Sequence, residues 1–167
     1  MPNTKPPSRV LSCCQRGSTE FRPVLHLPYP AAAKSTLELT LARGVTCYVL
    51  LAPRHTLLLL IVADAWNQDE GKVESQRGFR TKAELRGRLS NPSNANPVTE
   101  TTVSQYVREI RAEIKAQIKK VLDSLSLREG CELRTPDLIE SLRMLGYRIG
   151  TSGLEIMQPR TSPIPTT

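Results

Sequence analysis

The longest regular pattern in the sequence runs from Thr99 to about Leu125. Its aliphatic residues recur every three or four positions, at Val103, Val107, Ile110, Ile114, Ile118 and Val121. This spacing places them on one face of an α-helix and leaves the opposite face polar. Because an amphipathic helix is stabilised mainly by burial of its apolar face, the rest of the chain must form an aliphatic base on which this helix lies.

The segment before this helix begins with the pattern of a β-hairpin. Apolar residues alternate with other residues in two runs, at Leu37, Leu39 and Leu41 and then at Val45, Cys47, Val49 and Leu51. Such alternation is typical of strands that bury one face. Residues 42–44 end in a glycine and suit a three-residue turn, and Pro53 ends the second strand.

Two shorter helices are predicted between the hairpin and the long helix. Residues 54–66 carry a broad apolar stripe and should form a largely buried helix, through Leu57, Leu58, Leu60, Ile61, Val62 and Ala65. The aperiodic residues 67–80 predict a loop. Thr81 and Glu84 then match a capping box, which starts a short helix that ends near Leu89. Residues 91–97 contain two prolines and three asparagines and predict a second loop.

The two ends of the chain differ from this central part. Residues 1–34 contain six prolines and predict a flexible leader, to which 21–27 adds at most an edge strand because of Pro23. Residues 138–149 and 154–157, joined by 150–153, predict a final hairpin, although 137–145 fits either a strand or a helix. Residues 158–167 predict a disordered tail. We therefore expect one folded domain over 35–157.

The composition limits the classes of function. Lys and Arg outnumber Asp and Glu by 23 to 16 in 167 residues, and the resulting net charge of +7 favours polyanions such as nucleic acid. The four cysteines and two histidines lack metal-ligand spacing, so we expect no metal, no cofactor and no disulfide framework. No run reaches the ~20 apolar residues of a membrane span and no signal peptide is evident, so we expect a cytoplasmic location.

The polar face of the long helix carries the candidate functional residues. At about 100° per residue it presents Thr101, Gln105, Arg108, Glu109 and Ala112, flanked by Ser104, Arg111 and Lys115 on one edge and by Tyr106 on the other. Gln and Arg can bond to the edges of adenine and guanine, Glu can accept from cytosine, and Ser or Thr can contact bases or phosphates. Taken alone, the same face also fits an ordinary solvated helix.

Two segments resemble the OmpR/PhoB-type winged helix-turn-helix family. Residues 102–114, TVSQYVREIRAEI, are similar to its recognition helix, whose pattern is T-V-x-x-H/Y-I/V-x-x-L/I-R-x-x-L/I. Residues 138–149, LIESLRMLGYRI, are similar to its wing segment, which ends in G-Y-R. The preceding hairpin, buried helix and capped helix follow the family's order, so the resemblance covers about residues 36–150. It implies an α+β winged helix-turn-helix fold with a three-helix core, an N-terminal β-hairpin or sheet and a C-terminal wing hairpin.

The resemblance also implies a function, which is sequence-specific binding of duplex DNA in transcription regulation. Helix 99–121 would enter the major groove, and the wing would lie near 143–156. The family pattern places base contacts at Ser104, Gln105, Arg108 and Glu109, phosphate contacts at Thr102, Tyr106 and Arg111, and a wing contact at Arg143. The predicted DNA-binding set is completed by Thr101, Lys115 and Arg148. Expected partners are duplex DNA, RNA polymerase or another regulator, and a second copy of the chain on DNA.

The chain departs from the family pattern at several places. Met144 stands where the family usually has glycine, and Glu109 is acidic where a basic residue is common. The stretches 67–80 and 119–136 are longer than the compact pattern. Gly146 and Tyr147 are expected to be structural, as a turn glycine and a packed ring. The 35 residues before the resemblance are too few for the receiver domain of about 120 residues that many family members carry.

The sequence also bears on three other functions. The motifs G-x-S-x-G and H-E-x-x-H and the P-loop are absent, so we do not expect an enzyme. A winged helix without DNA affinity could instead bind a protein partner, a hypothesis that Glu109 and Glu113 favour. Charge alone could also drive sequence-independent binding to nucleic acid or to a membrane surface. Selection from random duplexes separates these alternatives.

Overall fold

The computed structural model describes residues 22–28, 33–41, 45–90, 97–125, 137–150 and 153–159. Within these residues the fold is α+β, with three helices, a four-stranded mixed sheet and a two-stranded sheet. The elements in chain order are β1 (Arg22–His26), β2 (Ser35–Thr40), β3 (Thr46–Leu51), α1 (Pro53–Gln68), α2 (Lys82–Leu89), α3 (Glu100–Ser124), β4 (Ile139–Leu142), β5 (Gly146–Ile149) and β6 (Glu155–Met157).

The larger sheet has the strand order β3-β2-β1-β6. The β2–β3 hairpin confirms the strand pair predicted over 36–51, with Leu39 opposite Cys47 and both side chains buried. β1 corrects the predicted leader, because it lies inside 1–34 and pairs with β2 on one side and β6 on the other. Pro23 is tolerated in this interior strand because pairing with β6 begins only at Val24, so its missing N–H costs nothing on that side.

Helix α1 lies in the core of the domain. Pro53 occupies its first turn, where a backbone N–H would have no partner within the helix. The helix is buried around most of its circumference, as predicted. Leu57 is an exception, at 44% exposure, and His55, which precedes the predicted stripe, is buried. The predicted stripe is therefore confirmed at Leu58, Ile61, Val62 and Ala65 and is wrong at Leu57. It also omitted Leu59, which is fully buried.

Both following helices begin with capping boxes. In α2, the amide of Glu84 donates to the hydroxyl of Thr81 and the Thr81 amide donates to the Glu84 carboxylate, at 3.3 and 2.7 Å. In α3, Thr99 and Thr102 make the corresponding pair of bonds. The α3 side chains predicted to face the core are buried as far as Ile118, and α3 packs against α1, α2 and β3.

The second sheet is the β4–β5 hairpin, and its turn differs from the predicted one. The chain reverses at Arg143, Met144 and Leu145, where the Leu145 amide donates to the Leu142 carbonyl at 3.2 Å. The prediction of a hairpin between 138–149 and 154–157 is wrong, since β6 pairs parallel to β1 in the larger sheet. The segment 137–145, which fitted a strand or a helix, is a strand followed by this turn.

Some predictions lie outside the described residues. They concern most of the leader, the turn at 42–44, the loop at 91–96, the connection 126–136, the tail from 160 onward and the cysteines at Cys13, Cys14 and Cys131. The fourth cysteine, Cys47, is buried and free, and burial raises the pKa of its thiol. Of the helices in the described ranges, none combines the length and the apolar character needed to cross a membrane.

Candidate nucleic-acid interface

An exposed stripe follows α3 along the side opposite its core face. It consists of Thr101, Gln105, Arg108, Ala112 and Lys115, all of which are exposed. From Thr101 to Lys115 the stripe is roughly 21 Å long, because an α-helix rises about 1.5 Å per residue. Its charged members, Arg108 and Lys115, are both basic, and the small side chain of Ala112 between them allows another surface to approach the helix backbone closely.

The β4–β5 hairpin lies beside this stripe and is hydrogen-bonded to α3. Arg111 of α3 donates through Nη2 to the Ile139 carbonyl at 2.6 Å and to the Ser141 hydroxyl at 3.3 Å. Nearer the start of α3, the Tyr147 hydroxyl lies 3.4 Å from the Ser104 hydroxyl. These contacts place the hairpin along one edge of the exposed stripe.

A third attachment joins the hairpin to the start of α2. The backbones of Arg80 and Tyr147 exchange two hydrogen bonds of 2.9 and 3.0 Å, which makes Arg80 an isolated bridge to β5. The Arg80 side chain is held by the buried carboxylate of Asp69, which also accepts from Lys72 at 2.7 Å and from the Gly78 amide at 3.0 Å. The hydrogen bonds from Arg80 and Lys72 hold the pKa of Asp69 far below its usual range.

The other edge of the stripe is formed by Glu109 and its partners. Its carboxylate accepts from Nε2 of the buried His55 at 2.8 Å, from Arg54 at 3.2 Å and from the Gln105 amide at 2.8 Å. The bonds from Gln105 and His55 lower the pKa of Glu109. Tyr106 packs edge-on against His55, and the guanidinium of Arg54 lies over the ring of Tyr106. The negative charge of Glu109 is thus compensated by the guanidinium of Arg54 and by the hydrogen bond from His55, both on α1.

Arg148 is the one residue of the predicted DNA-binding set that is buried. It is 8% exposed, and its guanidinium pairs with Glu140 at 2.6 Å. The same group lies over the rings of Phe79 and Trp66, 4.5 and 5.6 Å from their centroids. A ligand could reach Arg148 only by displacing these contacts, so this residue belongs to the core beneath the hairpin.

The remaining predicted residues fall into two groups. Thr101, Gln105, Arg108 and Lys115 lie together on the exposed stripe, and Arg143 is exposed at the hairpin turn. The others are half-buried and engaged within the protein, namely Thr102 in the α3 cap, Ser104 and Arg111 against the hairpin, and Tyr106 and Glu109 against α1. The periodicity of α3 identified the exposed stripe but could not show which residues at its edges have partners on other elements.

Sequence reasoning missed two acidic residues that hold the start of α2 and the hairpin in place. Asp69 lies in a stretch without periodicity, and Glu140 lies in a segment whose secondary structure was ambiguous. Both become recognisable only from their ion pairs with Arg80 and Arg148.

The chain was compared with known protein families, with curated proteins and with solved structures, and it matched none of them. The resemblance of 102–114 and 138–149 to the OmpR/PhoB-type family therefore stays a prediction.

Proposed function

We propose that this protein binds duplex DNA as a winged helix-turn-helix regulator of transcription, with α3 in the major groove and the β4–β5 hairpin as the wing. One observation carries the proposal. The exposed stripe of α3, with Gln105, Arg108 and Lys115, lies beside a hairpin whose turn exposes Arg143. The wing of this proposal spans 139–149 and no longer includes the residues up to 156.

The dimensions and charge of the stripe support this proposal. A B-DNA major groove is about 12 Å wide and admits one α-helix. Arg108 and Lys115 are exposed along the helix, and the chain carries a net charge of +7, which favours contact with phosphates. Glu109, the acidic residue that the family pattern does not anticipate, turns toward Arg54 and His55. This pairing reduces its repulsion of a phosphate backbone.

The direct test is a binding titration against a labelled random duplex at several salt concentrations. Replacing Arg108 or Lys115 by Ala should reduce affinity and lower the slope of log K against log salt by about 0.9 for each lost phosphate contact. Arg22→Ala is the matched control, because Arg22 lies on β1, separated by β2 from the strand that contacts α3. Equal effects at all three sites, or no binding by the parent protein at low salt, would contradict the proposal.

A specific observation favours a second candidate function, which is binding of a protein partner. Three apolar side chains are exposed at the tip of the hairpin, with Leu142 at the end of β4 at 50%, and Met144 and Leu145 in the turn at 89% and 37% exposure. A DNA-contacting wing has no need of such a tip, whereas apolar side chains are common at the centre of protein interfaces. Absence of affinity for any duplex, with an intact fold, would favour this alternative.

A further inference from the structure

We propose that Glu109 is a positioning residue that orients the side chain of Gln105 and so gives the protein a preference for adenine at one position of its DNA site. This inference rests on the proposed function. It concerns specificity, and it assigns a role to an acidic residue whose charge opposes the approach of phosphates.

The orientation follows from the chemistry of the contact. The Gln105 side chain approaches Oε1 of Glu109 at 2.8 Å. A carboxylate only accepts hydrogen bonds, so the Gln105 atom in this contact is the amide nitrogen. One of its two N–H groups is therefore taken by Glu109. The carbonyl oxygen and the second N–H stay available at the exposed end of the side chain.

Glu109 can impose this orientation because it is itself held in place. Its second oxygen, Oε2, accepts from His55 and Arg54 of α1, and the His55 side chain is only 2% exposed. Glu113 also faces His55, with 3.8 Å between its carboxylate and Nδ1. The Gln105 amide is thus connected through Glu109 to the interior of the domain, whereas an unsupported glutamine on a helix surface could rotate its amide freely.

The orientation matches one base. Adenine presents a donor at N6 and an acceptor at N7, which the glutamine carbonyl and N–H satisfy together, while guanine presents two acceptors. A preoriented amide binds with less loss of side-chain freedom than a mobile one. Against guanine, the fixed carbonyl oxygen would face another acceptor.

Selection from random duplexes tests the specificity. The parent protein should enrich adenine at one position by between about 5-fold and about 150-fold over the other bases, the discrimination of a good bidentate pair. Gln105→Ala should abolish this preference. Glu109→Ala should reduce it several-fold at the same position. Undiminished adenine preference in Glu109→Ala would overturn the inference, and Glu109→Gln, which keeps an acceptor oxygen, should restore part of it.

A second measurement uses the unmodified protein and no DNA, so it tests the Gln105–Glu109 contact on which the inference rests even if Glu109→Ala does not fold. The side-chain amide resonances of Gln105 should shift as Glu109 is protonated, with a midpoint below the usual value for a glutamate. Resonances that stay constant while the fold persists in acid would overturn the inference. If the amide titrates but selection enriches no base, the proposed function fails while the contact itself stands.

Discussion

The backbone of Gly146 lies directly against the backbone of Arg80. Gly146 has a φ of +99°, and a Cβ atom at this position would overlap the Arg80 carbonyl oxygen and lie 2.9 Å from the Cα of Thr81. The adjoining residue, Tyr147, makes both backbone hydrogen bonds to Arg80. The hairpin therefore joins the start of α2 through a contact that only glycine permits.

This contact predicts a large cost for Gly146→Ala. We expect a loss of more than about 2 kcal/mol in the free energy of unfolding, because the strain of a left-handed φ adds to the overlap with Arg80. Urea denaturation measures the loss. Gly71→Ala is the matched control, since Gly71 has a φ of +95° with no atom near its Cβ position, and it should lose only about 1 kcal/mol. Equal losses in Gly146→Ala and Gly71→Ala would show that the close contact with Arg80 does not add to the cost of the substitution.

The turn of the hairpin predicts a stabilising substitution. Met144 has a φ of +78°, the one described residue other than glycine with a positive φ, and its side chain is 89% exposed. Met144→Gly should raise the free energy of unfolding by about 0.5 to 1 kcal/mol. This is the net gain after the relief of backbone strain is reduced by the greater conformational freedom that glycine gives the unfolded chain. Met144→Ala, which keeps a Cβ atom, should bring no gain. A destabilised Met144→Gly would mean that the methionine side chain makes a contact that stabilises the turn.

The Asp69 network predicts a dependence of stability on pH. The folded state lowers the pKa of Asp69, so the carboxylate stabilises the fold above the unfolded pKa of about 3.9, and this contribution is lost as the pH falls below about 4. Asp69→Asn should cost on the order of 2 to 4 kcal/mol at pH 7, because it leaves Arg80 without its buried partner. The difference in the free energy of unfolding between the parent protein and Asp69→Asn should narrow as the pH is lowered from about 4.

Asp64→Asn provides the comparison for this prediction. Asp64 pairs with Arg88 at 3.2 Å, but both side chains are about half exposed. An exposed pair of this kind contributes about 0 to 1 kcal/mol, so the substitution should change little at any pH. An Asp69→Asn protein as stable as Asp64→Asn at pH 7 would exclude the network as a structural support.

Arg111 is predicted to position the hairpin. Arg111→Ala removes its bonds to the Ile139 carbonyl and the Ser141 hydroxyl, and we expect a loss of about 1 to 2 kcal/mol in thermal or urea unfolding. The slope of DNA affinity against salt should change less than in Arg108→Ala, although the family resemblance assigned a phosphate contact to Arg111. A full change of slope without loss of stability would restore that assignment.

The parts of the fold that sequence reasoning predicted correctly share a local cause. The alternation of Leu37 and Leu39, the Thr81 capping box and the 3-4 spacing of Val103, Val107 and Ile110 each depend on neighbours a few residues away. The exposed stripe of α3 followed from the same spacing, and so did the inclusion of Gln105 and Arg108 among the candidate residues.

The features that sequence reasoning missed depend on contacts distant in sequence. β1 is an interior strand because it pairs with β6, where Val24 lies opposite Glu155 from the far end of the described sequence. Arg148 is buried because its guanidinium lies over the ring of Phe79, which belongs to the segment before α2. Glu109 turns inward because of His55, which belongs to another helix. None of these partners can be inferred from a single sequence by its periodicity.

The most direct test of the proposed function is to map the surface that duplex DNA perturbs. A ¹⁵N-labelled sample of the full chain would be titrated with an unlabelled random duplex, and backbone amide shifts would be recorded. We predict that the largest changes fall on 101–115 of α3 and on 143–145 at the hairpin turn, and that the β1–β2 strands stay unchanged. Changes confined to the larger sheet, or none at low salt, would contradict the assignment of α3 and the hairpin as a DNA-binding surface.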